Sequence, residues 1–531
     1  MQLSLHRINL TTIIRTISKV LLSKLFLSII ACNEDVKENL QETKIATVDT
    51  TVDFKFKKSI TLRTGPVGED DSEGASEISA YDPISEKLFV VNVEINEISI
   101  VDISDISNPI KTGAVNLDAY GAPNSVAVYD GKFAVAIESN VKQENGRILV
   151  FNASDATLYR QYGVGALPDM VTYTKDGRYI LSANEGEPNS EYTNDPRGTI
   201  SIIDTKDESV TTLDFTSFNA SEAILEANGF RVFGPNADLA ADVEPEYIAV
   251  SKDSKKAWVS LQENNGIAKI NIEAKVIEAI YPLGFKDYNL AGNSIDASDK
   301  DGVKELKNWN VKGIYQPDAI TAINIDGVEY VISANEGDSR DYDGYSEEVR
   351  LDDLVLDETV YPSTGDFLNE INLGRLKTTT TLGDENKDGK VEQIYSYGAR
   401  SFSIWSANGS LVYDSGNDIA KQTLDLTPES FNGGEKSDKR SDDKGAEPES
   451  VATLSLGDRH ILFVGLERNN QIMMYDISNP MAPVFLTILS NDGDEGPEGL
   501  LVIPAVDSPS GKDLLIVSNE ISGTVSIYEN N

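Results

Sequence analysis

Acidic side chains recur in this sequence at the two ends of apolar runs, and that spacing is its first chemical signal. Glu94, Glu138, Glu185, Glu263, Glu336, Glu467 and Glu520 each close an apolar run. Glu77, Asp169, Glu246, Asp318, Glu449 and Glu498 each open the run before it, and Asn124 stands where a further acid would fall. If the two runs are antiparallel neighbours, the end of the second lies beside the start of the first, and both sets meet at one mouth. Carboxylates brought that close raise one another's pKa unless cations or hydrogen bonds intervene. Either each carboxylate accepts backbone N–H bonds and fixes the repeat, or some of them hold a divalent cation. Oxygen-only ligation suits calcium or magnesium.

Two loops offer oxygens independently. DENKDGKVE presents Asp384, Asn386 and Asp388 ahead of Gly389, as the first half of an EF-hand loop does. Its twelfth position is Tyr395, which leaves Glu392 as the substitute acid. DASDKDG presents Asp296, Ser298, Asp299 and Asp301 before Gly302. Asp and Gly are also ordinary turn residues, so both loops read as plain turns too.

Histidine is limited to His6 and His460, which removes Ser-His-Asp triads, Cys-His pairs and the usual zinc sites. Any catalysis falls to metal, carboxylate and arginine. Arg197, Arg340, Arg350 and Arg400 lie near the acidic loops. Of these, Arg340 and Arg400, with Glu185 and Glu336, are the candidate catalytic groups, because an arginine fork facing a metal holds phosphoryl oxygens. The competing reading makes the arginines ion-pair partners of the acids.

The elements that must position these groups form a repeat. PDMVTYTKDGRYILSANEGEP, from Pro168, returns as PDAITAINIDGVEYVISANEGD from Pro317, and looser copies begin near Glu77, Pro123, Glu244, Glu447 and Gly496. Each copy is an apolar strand, a turn, a second strand ending in Glu, a loop and a third strand. A further short apolar run follows most copies, so a full repeat has four strands. Radial repetition of such units predicts an all-β, seven-bladed β-propeller of four-stranded antiparallel blades. The seventh copy lacks a fourth strand, and residues 54–64, FKFKKSITLRT, are expected to supply it and close the ring. Insertions fall at GEPNSEYTNDPRG, at FKDYNLAGNSIDASDKDGVKELKNW and, largest, from Gly337 to about Tyr395. NGGEKSDKRSDDKGAE, poor in apolar residues, reads as a mobile surface loop.

The chain has 531 residues, 40% of them apolar, and a formal net charge of -41. So acidic a balance speaks against nucleic acid, which requires a basic footprint, and suits divalent cations or a cationic partner. Arg15, Lys19 and Lys24 precede the apolar run LFLSIIA and then Cys32, the sole cysteine. This reads as an export signal over residues 1–31. A cysteine directly after Ile-Ile-Ala resembles the lipobox of bacterial lipoproteins, in which the thiol is acylated. Residues 32–50 are then a flexible tether and 51–531 the propeller. The membrane is an expected partner through that lipid, at the periplasmic or cell-surface side.

SANEGDSRDYDGYSEEVRLDDL, GRLKTTTTLGDENKDGK, ARSFSIW and EGPEGLLVIPAVDSPSGKDLLIVSNEISGTVSIYE, with the stretch from Pro168, resemble the choice-of-anchor I family of secreted or surface-anchored bacterial propellers. The resemblance covers nearly everything after the tether. It implies a seven-bladed propeller outside the cytoplasm on an anchor that varies among members. Some relatives carry alkaline-phosphatase-like names, and most have no assigned activity. Asn386 and Lys387 make the calcium-like loop less acidic than the family pattern. Two functions are therefore expected of the acidic face. One is a calcium-binding module that holds a small-molecule or surface ligand, or acts as a scaffold. The alternative is a calcium-dependent phosphoesterase.

Overall fold

The copy starting at Pro168 shows how the repeat folds. Pro168–Tyr173, Tyr179–Asn184, Thr199–Asp204 and Val210–Leu213 pair antiparallel in that order. Gly177 takes φ +66° in the first turn, where Asp176 accepts a 2.7 Å bond from the Thr174 hydroxyl. The second and third strands are buried on both faces because a neighbouring sheet covers each side. The fourth, at the outer edge, is mostly exposed.

The computed structural model describes residues 50–65, 74–362, 364–434 and 436–531, all within one unit, Asp49–Asn531. Among them are seven four-stranded sheets, one of five strands and one of two. The fold is all-β and mostly four-stranded antiparallel, and its helices are short, such as Asp418–Leu426. The first strands of the seven four-stranded sheets are Ser79–Asp82, Pro123–Tyr129, Pro168–Tyr173, Ile248–Val250, Ile320–Ile325, Pro448–Leu456 and Pro497–Ile503. Each lies against the next in that order, and the last lies against the first. Phe54–Thr61 pairs antiparallel with Thr524–Asn530 at the outer edge of the last sheet. The Asn530 side chain fastens that strand by accepting from Asp53 N at 2.8 Å and donating to Thr51 O at 2.9 Å.

The core is divided among the junctions between successive sheets. Phe89 stacks on Phe133 at 4.2 Å between the first two, and Leu88, Val90, Ile516 and Val525 join the last to the first. Each such side chain, fully buried, contributes roughly 1.5–3 kcal/mol.

The insertions build structure of their own. Phe285–Asp287 and Val311–Ile314, from the insertion after the fourth sheet, combine with Glu348–Arg350, Lys377–Thr379 and Ile394–Ser396, from within the fifth copy. Together they make the five-stranded sheet, in which Val311–Ile314 runs parallel to Ile394–Ser396. This sheet has its own apolar core of Tyr288, Val311, Leu351, Leu373, Leu376 and Ile394.

The stretch read as a mobile loop is instead a packed wedge over residues 436–447. Asp442 pairs with Arg350 and Arg375 at 2.8 and 2.9 Å, and Asp443 with Lys377 and Arg440 at 3.2 and 2.9 Å. Ion pairing rather than apolar content holds it in. His460 is buried beside Ser455. Cys32, the signal over 1–31 and the tether up to residue 49 lie outside the described residues. No helix among the described residues is long and apolar enough to cross a membrane.

Candidate functional site: an acid-lined mouth

Two local devices aim the acids. At four of the first strands the chain enters through a proline, which has no N–H to give a ladder. Directly after it the register slips, from Pro123 to Ser125, Pro168 to Met170, Pro448 to Val451 and Pro497 to Gly499. Asn124, Asp169, Glu449 and Glu498 are therefore bulge residues, released from pairing and re-aimed. At the end of the second strand a buried asparagine anchors the backbone before the glutamate. Asn184 accepts from the Ser182 hydroxyl at 2.9 Å and donates to Ser201 at 3.0 Å. Asn335 repeats this with Ser333 and Ser403 at 2.7 and 2.8 Å. The Ser-Ala-Asn-Glu motif is thus a brace that sets Glu185 and Glu336.

Members of both sets border a cavity of about 500 Å³ lined by Glu77, Glu138, Asp169, Glu185, Asp318 and Glu498, with Asn124, Tyr247, Glu187 and Lys142. Burial pushes Asp169 up to about 7, and the charges of Asp318 and Glu187 add to it. Burial also holds Glu185, Glu246, Glu449 and Glu498 well above the usual carboxylate range, reinforced by their acidic neighbours. Burial takes Glu263 to about 7 against the pull of Arg340, and Glu336 to about 8 against that of Lys444. Glu138 and Glu467 are raised by burial as well.

Carboxylate oxygens of Glu185, Glu246 and Glu263 lie within 4.8 Å of one another, as do those of Asp318, Glu336 and Glu449. One oxygen each of Glu246, Glu263 and Glu449 is buried without a hydrogen-bond partner. Glu336 differs, since Lys444 and Gln262 both donate to it. Glu94 stands apart, accepting from Thr64 at 3.4 Å beside the N-terminal strand. Glu520 follows the end of the second strand of the last sheet, its own N–H bonded to Gly496 O.

Both catalytic arginine candidates are committed elsewhere. Arg340 is 2% exposed and pairs with Asp242 at 2.6 Å and Glu244 at 2.7 Å. Arg400, at φ +52°, gives its guanidinium to the backbone carbonyls of Asp296, Ser441 and Asp443. It thereby ties the packed wedge to the insertion after the fourth sheet. Arg197 reaches Thr216, and Arg350 reaches Asp442.

The two calcium-like loops fare differently. In the first, Asp384 accepts from the N–H groups of Asp388 and Gly389 at 3.0 and 2.9 Å, and Asn386 donates its amide to Glu392. Asp388 and Glu392 gather with Asp357, a residue the loop pattern did not include. In the second, Asp299 is taken by Arg375 and Lys300, and the Ser298 hydroxyl donates to Glu370 O. Asp301 faces Lys307 at 3.9 Å, and Asp296 accepts from Glu305 N at 2.9 Å. Sequence reasoning missed Glu187, whose signal was its place two residues beyond Glu185 in Asn-Glu-Gly-Glu-Pro. It also missed Lys142, Lys444 and Arg468, which pair with Glu138, Glu336 and Glu467.

Four-stranded sheets joined through their first strands, with a carboxylate-lined cavity where those strands begin, define an all-β protein with a polar mouth. The choice-of-anchor I domain matches residues 77–480, and the chain belongs to that family. Such a domain marks it as a secreted or surface-anchored protein. Gigasin-3a of Magallana gigas is 34% identical over 182 residues, 29% of this chain and 64% of that protein. The mesenchyme-specific cell surface glycoprotein of Strongylocentrotus purpuratus is 25% identical over 367 residues, 60% of this chain and 46% of that one. The match therefore spans less than two thirds of either relative. Among solved structures, the Kuenenia stuttgartiensis hydrazine synthase aligns with a TM-score of 0.47 at 12% identity, covering 88% of this chain and 99% of that one. The Myceliophteria thermophila Cps50 (Swd1) β-propeller domain aligns at 0.44 and 7%, covering 90% and 100%.

Proposed function

We propose that this chain is a seven-bladed β-propeller closed by Phe54–Thr61, carried outside the cytoplasm on a lipid at Cys32, and that it binds calcium at its acidic mouth to hold a surface ligand. The ring reading rests on the seven first strands, whose contacts run in order and return to the start. Deleting residues 51–64 should then lower the melting temperature of the whole domain, and an unchanged melt would put closure elsewhere. The anchor rests on the sequence around Cys32. Cys32→Ser should free the protein from washed membranes, and a variant that stays bound would refute lipidation.

The observation that carries the calcium reading is the pair of buried, unpartnered oxygens on Glu246 and Glu263, beside Glu185. A buried charged group without a partner is costly, and a divalent ion held by these carboxylates removes that cost. The set of Asp318, Glu336 and Glu449 is weaker because Lys444 already neutralises Glu336. Hydrolysis ranks second to binding. It needs an arginine beside the metal, and Arg340 and Arg400 are spent on other partners.

Calcium should stabilise the fold by about 2.7 kcal/mol at a hundredfold excess over Kd. A Glu246→Gln, Glu263→Gln double variant should lose that response and melt higher than the parent in chelator. Identical melting curves in calcium and in chelator would remove the site.

A further inference from the structure

The acidic cavity does not end at the carboxylates. A second cavity of about 350 Å³ shares Ile78, Ser125, Met170 and Tyr247 with it and continues along the first strands. Its walls change character on the way. Val126, Ala127, Val171 and Leu500 line its middle, and Tyr129 and Tyr173, stacked 5.7 Å apart, stand at its far end with Lys175. Tyr173 is 8% exposed, and its hydroxyl has no hydrogen-bond partner.

A calcium ion with oxygens at about 2.4 Å, held by Glu185, Glu246 and Glu263, borders this space only through Glu185 and leaves Asp169, Asp318 and Glu498 facing the opening. Cavities of roughly 300–1,000 Å³ are the size of small-molecule sites. The remaining carboxyls at this one suit a cationic head, the apolar middle suits a stem, and the polar far end beside the partly exposed Tyr129 and Lys175 suits an uncharged hydrogen-bonding group. Lys175 argues against a second positive charge at that end.

We infer that the joined cavities bind a linear primary amine with a hydrogen-bonding group at its far end, the ammonium among Asp169, Asp318 and Glu498 and the stem running along Ala127 to Tyr173. This rests on reading the mouth as a cation site, and it names the ligand class that calcium alone leaves unspecified.

The test is calorimetric titration of the full chain with 6-amino-1-hexanol, methylammonium and 1-hexanol, each in calcium and in chelator, with calcium binding measured in parallel. The aminoalcohol should bind at least tenfold more tightly than methylammonium, because several methylenes are buried at about fourfold each. 1-Hexanol should not bind. Ala127→Phe should block the stem and bring the aminoalcohol down to the methylammonium level, and retained methylammonium binding would show that the variant is folded. Glu498→Gln should weaken both amines at least fivefold. Equal binding of 1-hexanol, equal binding of methylammonium, or an Ala127→Phe variant that binds like the parent would each overturn the inference. Calcium binding without amine binding sinks this inference alone, amine binding without calcium binding sinks the calcium assignment alone, and neither sinks both.

Discussion

Arg340→Met is expected to cost about 3–5 kcal/mol of stability, the loss typical of breaking a buried ion pair from one side. The guanidinium donates to Asp242 Oδ1 and Glu244 Oε2 and to the Asp242 carbonyl. It also lies over the Phe233 ring at 4.5 Å. Arg231 covers the same ring at 4.1 Å and pairs with the buried Glu347. Removing one guanidinium strands two carboxylates where water does not reach, and Met replaces the packing but not the charge. Adding Asp242→Asn and Glu244→Gln to Arg340→Met should recover most of the loss, since neutralising a whole buried network is often nearly neutral. Urea unfolding of the single and triple variants measures both. A single variant within about 1 kcal/mol of the parent would return Arg340 to the list of groups free to meet a ligand.

The contrast between Arg340 and the acids shows what the sequence could and could not disclose. The acids recur at fixed places in a repeat, and a period-2 strand pattern fixes which end of which strand they occupy. The meeting of Glu138 and Glu185 with Glu77, Asp169, Asp318 and Glu498 at one mouth was legible for that reason, and Pro before the acid was a readable sign of the bulge. Arg340 finds its partners 96 and 98 residues away, where the preceding repeat begins, and no local spacing encodes that. The five-stranded sheet was hidden in the same way. Its parallel pairing of Val311 with Ile394 joins two insertions that look like separate polar loops. The wedge at 436–447 misled through composition. Few apolar residues usually mean solvent, but here Asp442, Asp443 and Lys444 are drawn in by Arg350, Lys377 and Glu336. The acids of the calcium-like loops were visible, whereas the lysines and arginines that pair with them, such as Arg375 and Lys300 on Asp299, were not.

Without calcium, the protein should be most stable between pH 4 and 5 and lose stability as the pH rises to 8. Burial holds Asp169 up to about 7, with help from Asp318 and Glu187, and Asp296 up to about 7, with help from Asp438. Burial takes Glu336 to about 8, opposed by Lys444. In the unfolded chain such groups titrate near 4. The native state therefore binds more protons than the unfolded one between pH 4 and 8, so these acids contribute most below pH 4 and lose that contribution as the pH passes 7 to 8. An acid held at about 7 gives up about 4 kcal/mol by pH 8. Acids that share a site release protons in common steps, which makes the combined loss several kcal/mol rather than the full sum. Glu447 acts in the opposite sense. Burial alone would raise it, but Lys444, Arg440 and Arg468 hold it down to about 2, so its stabilisation is present above pH 4.5 and fades toward pH 2. The two trends cross between pH 4 and 5. Calcium should offset the loss at the mouth and leave that of Asp296, which lies in the insertion after the fourth sheet. The calcium-induced rise in melting temperature should then be larger at pH 8 than at pH 5, with protons released on binding in the neutral range. Thermal melts across pH 4 to 8, in chelator and in calcium, decide it, and a stability that climbs steadily to pH 8 in chelator would mean that these acids are ionised and compensated in the native fold.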